Sequence, residues 1–239
     1  MHSAAGDYED EQRILTEIYS SQCETTGEDH PETLSTMSSL AIACKRDGDN
    51  AKAISFIIPC YVMLCKVVGS QHPKSQQVMK TMMDIIQIDN SLQVINEAFQ
   101  YFYSLSAKEL GDKHVVTISA LKVLAVSFDE IGNLQKAHSL FRKHYQLSCE
   151  VFGATGPDTI RSLNNLAVSY GKLGDMENNL KAMESCFSVA VRIFDDNSPY
   201  KKSIAKNLML VYEKTDNDDK AEALQMLLGD CDAVRYGYI

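Results

Sequence analysis

The sequence has no tryptophan, and only 5 prolines and 12 glycines interrupt its 239 residues. Positive charge is also scarce. The 23 Lys and Arg stand against 32 Asp and Glu, giving a formal net charge of −9 and a pI near 5.1. That balance argues against nucleic acid as a partner, since binding by bulk electrostatics normally draws on a basic surface. The seven cysteines never form C-x-x-C, and an odd count does not suggest a complete disulfide framework. Long apolar runs are missing as well. The greasiest stretch, "ISFIIPCYVMLC" from Ile54 to Cys65, is too short for the ~20 apolar residues that span a bilayer, and Pro59 interrupts it. A buried helix is expected there rather than membrane insertion. The opening "MHSAAGDYEDEQ" has no cationic start followed by an apolar stretch, so no secretory signal is read. A cytoplasmic location with reduced core thiols is the expectation. No strand pattern competes anywhere.

What is present is a globular composition, 45% hydrophobic and 23% charged, on a chain long enough for a sizeable core or an array of small units. It is also periodic. "GEDHPETL" from Gly27 returns as "GSQHPKSQ" from Gly69 and "GDKHVVTI" from Gly111, so His30, His72 and His114 lie 42 residues apart. Cys23, Cys65 and Cys149 differ by multiples of the same period, as do Cys60 and Cys186. Such a period implies stacked supersecondary units. Units are expected to start at Gly27, Gly69, Gly111, Gly153 and Asp195, after an N-terminal half unit over residues 1–26.

Counting each unit start as register 1, apolar residues recur at registers 11, 14, 15 and 18. Met37, Leu40, Ala41 and Cys44 fill them in the first unit, and Leu163, Leu166, Ala167 and Tyr170 in the fourth. Spacing of i, i+3, i+4, i+7 predicts one face of an α-helix. Register 22 holds Gly48, Gly132 and Gly174, with Asn90 and Asp216 in the other units, and these residues tolerate the tight turn that ends a first helix. A second helix follows, with Ala53, Ala137 and Ala221 at register 27 permitting close approach. Four prolines fall where the next first helix begins; the fifth, Pro59, lies inside a second helix and predicts a kink. The sum is all-α, with eleven helices: one orphan and five antiparallel pairs.

"LNNLAVSYGKLGDMENNLKA", Leu163 to Ala182, is similar to a tetratricopeptide repeat, and the 42-residue period with G-x-x-H-P linkers resembles the variety found in kinesin light chains. The resemblance covers nearly the whole chain. It departs at Asn90, at His114, which lacks its Pro, and in the fourth unit, which lacks its His. It implies a right-handed α-α superhelix whose first helices line a concave, peptide-binding groove. It does not imply a kinesin subunit.

One histidine per repeat does not converge on a metal, so His30, His72 and His114 are read as residues that cap or pack where helices start. No catalytic constellation is found and no cofactor is expected. In related folds registers 9, 12, 13, 16, 19 and 20 line the groove. Here that stripe carries eight basic residues, Lys45, Arg46, Lys80, Lys122, Arg161, Lys172, Lys206 and Lys214, with Asn164, Asn165 and Asn207 among them. Its acids are Asp84, Asp129, Glu130 and Glu213. Lysine supplies point charges for carboxylates, and asparagine can bond a peptide backbone in both directions. The expected role is a non-enzymatic scaffold for an acidic peptide or partner segment. The alternative is a regulatory or sensory repeat region of a larger signalling protein or enzyme. The array begins with an orphan second helix and "DAVRYGYI" follows the last second helix directly, so missing sequence, self-association or a partner helix is expected to complete one or both ends.

Overall fold

The computed structural model of the chain describes residues 4–88, 91–195 and 197–228. Among the described residues eleven α-helices follow one another: α1 (Ala4–Thr25), α2 (Pro31–Asp47), α3 (Asn50–Val67), α4 (Pro73–Ile86), α5 (Leu92–Leu110), α6 (Val115–Glu130), α7 (Leu134–Phe152), α8 (Pro157–Lys172), α9 (Met176–Ile193), α10 (Pro199–Lys214) and α11 (Asp218–Leu228). No strand is found among the described residues. The first helices of the five pairs begin at Pro31, Pro73, Val115, Pro157 and Pro199, and the second helices at Asn50, Leu92, Leu134, Met176 and Asp218. Both series step by 42 residues.

Local chemistry explains the punctuation. His30 and His72 are N-caps whose Nδ1 accepts from the backbone N–H two residues on, at 3.3 and 3.2 Å, and His114 does the same for Val116 at 3.2 Å. Each satisfies one orphan donor of a helix start. Asp49, Asn133 and Asp175 cap the second helices through the backbone N–H three residues on. At the turn between paired helices Gly48 has φ 86°, while the fifth pair uses Asp216 at φ 54°, a conformation that Asp tolerates better than most residues. Asn90, expected to make this turn in the second pair, lies outside the described residues, as do Asp196, Cys231 and the closing "DAVRYGYI".

The structure falls into two compact units, Met1–Ala120 and Leu121–Ile239, with the boundary inside α6. In the first, α2 packs on α1 and α3, and α3 packs on α4 and α5. α3 is the one described helix long and apolar enough to cross a membrane by length and composition. It buries Ile57, Ile58, Cys60, Val62 and Cys65 among its neighbours instead, as expected of a core helix. It runs through Pro59 as a single helix. In the second unit each of α7 to α11 packs on the next, and α8 also touches α10. Ala167, Val168, Met183, Leu208 and Val211 form one apolar cluster there, and Ile160, Cys186, Ala190 and Ile204 another. Cys23, Cys44, Cys60, Cys65, Cys149 and Cys186 are free thiols. Burial pushes Cys60 and Cys186 up to about 12, so both are inert core residues.

Four hydroxyls to which the sequence reading assigned no role recur at the starts of first helices. Thr33, Ser75, Thr117 and Thr159 are buried and 42 residues apart. Ser75 donates to the Gly69 carbonyl at 2.8 Å and Thr159 to the Gly153 carbonyl at 2.7 Å, tying the start of a first helix to the loop before it. Their common spacing was the available signal.

Candidate peptide-binding surface

The residues of the basic stripe divide between the two units. In the first, Lys45 and Arg46 occupy the last turn of α2, where cations complement the C-terminal end of the helix dipole. Lys45 is half-buried and Arg46 exposed, with Arg46 Nη1 3.6 Å from the Glu11 carboxylate of α1. Lys80 is exposed on α4.

In the second unit the groups converge more closely. Arg161 on α8 bonds Asp158 one turn earlier at 2.6 Å, and its guanidinium lies 3.9 Å from the centroid of the Tyr200 ring on α10. That stacking is a cation–π contact. Lys122 on α6 is half-buried. Burial, and then the Arg161 charge, hold its ammonium below the ordinary lysine value, while Asp158 opposes them. Asp158 thus bonds Arg161 and also acts through space on Lys122 of the preceding first helix. The buried Nε of Arg161 has no hydrogen-bond partner among the described residues. Behind them His144 on α7 is buried and held near 4, by desolvation first and by Lys122 second.

The asparagines are core residues as well as stripe residues. Asn164, Asn165 and Asn207 are all buried, and Asn207 Nδ2 donates to Asn164 Oδ1 at 3.0 Å, linking α10 to α8. Nδ2 of Asn164 is buried without an acceptor among the described residues. Lys172 ends α8 with its ammonium 2.5 Å from the buried Asp129 carboxylate of α6. Lys206 is half-buried on α10, and Lys214 is exposed in that helix's last turn. Arg46, Arg161 and Lys172 of the stripe thus already meet carboxylates.

Sequence reasoning did not place Asp158 or Tyr200 at this surface. Asp158 was legible only as an acid in the first turn of a helix, and Tyr200 has no counterpart at its register in the other units. His138 had no role in the sequence reading either; its Nδ1 is 2.9 Å from the Ser169 hydroxyl, which itself donates to the Leu166 carbonyl. That serine proton is already given to the backbone, so the pair is a structural tie between α7 and α8.

Residues 159–200 match the family model of the tetratricopeptide repeat. No curated protein matches the chain significantly in sequence. Among solved structures the chain is similar to nearly identical TPR-like repeats from a Podosopora anserina protein described as a putative kinesin light chain. That similarity has a TM-score of 0.57 and 18% identity, covering 83% of this chain and 94% of the other. A variant form of the same repeats gives a TM-score of 0.58 at 18% identity over the same shares. BtubC (BKLC) from P. vanneervenii aligns over 99% of this chain and 98% of its own, with a TM-score of 0.56 and 14% identity. One 42-residue stretch of the chain, residues 159–200, thus matches the tetratricopeptide repeat, and the fold is that of the solved kinesin-light-chain-like repeat structures to which the chain is similar.

Proposed function

We propose that the protein is a non-enzymatic, cytoplasmic interaction scaffold whose first helices dock an acidic peptide or partner segment. The observation that carries this reading is the Lys122–Arg161 pair. Half-burial and repulsion from Arg161 depress the Lys122 ammonium, and the nearby carboxylate, Asp158, is bonded to Arg161. An incoming Asp or Glu side chain, or a chain-terminal carboxylate, would relieve that repulsion and supply a charge-assisted hydrogen bond. Lys206 on α10 adds charge along the same register as Lys122.

The experiment is a binding titration with labelled acidic, neutral and basic peptides of one length, against the wild-type chain and the charge-reversed Lys80→Glu, Lys122→Glu and Lys206→Glu variants. The acidic peptide should bind best, and its affinity should fall as salt rises, because exposed charges are screened over roughly 10 Å at 0.1 M ionic strength. Lys122→Glu should give the largest loss. Equal binding of acidic and basic peptides would refute the charge argument.

A further inference from the structure

α1 has the register of a second helix. Cys23 falls one period before Cys65, and Ile18 one period before Cys60. In α3, α5, α7 and α9 the Ile18 slot is a core position: Cys60 is 0% exposed, Phe102 4%, His144 6% and Cys186 0%. The side chain in that slot faces its own first helix, since the Cys60 thiol donates to the Leu34 carbonyl of α2 and the Cys186 thiol to the Ile160 carbonyl of α8. Ile18 is 42% exposed and Ile14, one turn earlier, is 50% exposed. The opposite side of α1 is engaged. Gln12 meets Cys44 and Lys52, and the Tyr19 ring packs edge-on against Phe56 at 6.3 Å. α1 thus turns toward solvent the slot that α3, α5, α7 and α9 bury.

The rim of that face is acidic. Asp10 and Glu17 flank the two isoleucines with side chains 71% and 70% exposed, and Glu24 continues the row one to two turns on. Arg13 is held between Asp10 at 3.2 Å and Glu17 at 3.7 Å, which leaves the row net negative.

We infer that the Ile14–Ile18 face of α1 docks an amphipathic helix of a partner protein, lying where a first helix lies in the complete pairs, with an apolar i, i+3, i+4, i+7 stripe and a Lys/Arg-rich rim. The stripe takes the place of α2 in the first pair, where the Leu34 carbonyl receives the Cys60 thiol, and the basic rim complements Asp10, Glu17 and Glu24. The site adjoins the basic stripe at Arg46, which pairs with Glu11 of α1 at 3.6 Å, but prefers ligands of the opposite charge. A second copy of this chain would bring a like-charged α1 to the same rim.

The test uses the full chain and three synthetic helical peptides of about 18 residues. One has a leucine stripe rimmed by lysine, one the same stripe rimmed by glutamate, and one the lysine rim with its leucines replaced by serine. The lysine-rimmed leucine peptide should bind and slow amide exchange over residues 10–21. Its affinity should exceed that of either control roughly tenfold and drop by a similar factor in the Ile14→Ser/Ile18→Ser variant. Asp10→Lys/Glu17→Lys should shift preference toward the glutamate-rimmed peptide. Lys122→Glu should leave all of this unchanged, which separates the face from the acidic-peptide reading. Serine and leucine peptides binding alike, or undiminished binding to the isoleucine variant, would overturn the inference. So would concentration-dependent dimerisation abolished by that variant, which would assign the face to a second copy.

Discussion

Asn207 of α10 donates a side-chain amide hydrogen to the amide oxygen of Asn164 of α8 across 3.0 Å, and both side chains are buried between successive first helices. A lone Asn164→Leu exchange removes the acceptor and leaves the Asn207 amide buried without it. That should cost about 1–3 kcal/mol. The double change to leucine removes both polar groups, so its cost should fall well below the sum of the two single variants. Urea unfolding of the four proteins in a double-mutant cycle checks this. The same variants separate the contact's structural share from any role in ligand binding.

The helix pairs were legible because one pattern is written five times. A single glycine or histidine could have meant many things, whereas Gly48, Gly132 and Gly174 with Asp216 at one register could mean only a recurring turn. Side-chain pairing across repeats was not legible. Lys172 and Asp129 lie 43 residues apart and read as two unrelated charges of the stripe, yet the fold sets them at 2.5 Å with the carboxylate buried. Asn164 shares its register with the exposed Lys80 and the half-buried Lys122 and Lys206, so period alone could not say that it would be fully buried. Tyr200 became part of the surface only through the crossing of α8 and α10, which no local pattern encodes.

Gly156 occupies the slot that holds His30, His72 and His114 in the preceding units, and its backbone angles, −64° and 144°, are ordinary. A Cβ there would lie 2.5 Å from the Phe152 carbonyl oxygen, closer than such atoms approach. The close packing of the α7 terminus therefore excludes the side-chain cap used elsewhere. Gly156→Ala should destabilise the second unit by about 1–3 kcal/mol, and Gly156→His should do at least as much harm rather than restore a cap. Urea midpoints of the two variants against wild type decide it.

Pro59 sits mid-helix in α3, so the Ser55 carbonyl has no N–H to receive at the usual position. Pro59→Ala restores that donor in a helix whose neighbouring positions are core. The gain should be about 1–2 kcal/mol, being the helix penalty of proline less the entropy that proline removes from the unfolded chain. Amide exchange should slow over residues 50–67. Exchange in α8 to α10 should not change.

His144 has its folded-state value lowered to about 4, chiefly because burial disfavours the imidazolium and next because Lys122 repels it, with Asp158 opposing. Its unfolded value is the ordinary one near 6.5. Between those values the unfolded chain binds the proton and the folded chain does not, so the contribution of His144 is fully present above about pH 6.5. It is lost progressively as pH falls toward 4. From pH 7 to pH 5 the loss attributable to this residue should be about 2 kcal/mol, most carboxylates remaining ionised over that interval. Phe102 fills the equivalent slot one repeat earlier, so His144→Phe offers an apolar group that the architecture already accommodates. The variant should be less sensitive to mild acid by that amount, as read from urea unfolding at pH 7 and pH 5. It should also raise the Lys122 ammonium little, since desolvation and Arg161, not the neutral imidazole, hold that group down. Identical pH dependence in the two proteins would show that His144 reaches water in the folded chain.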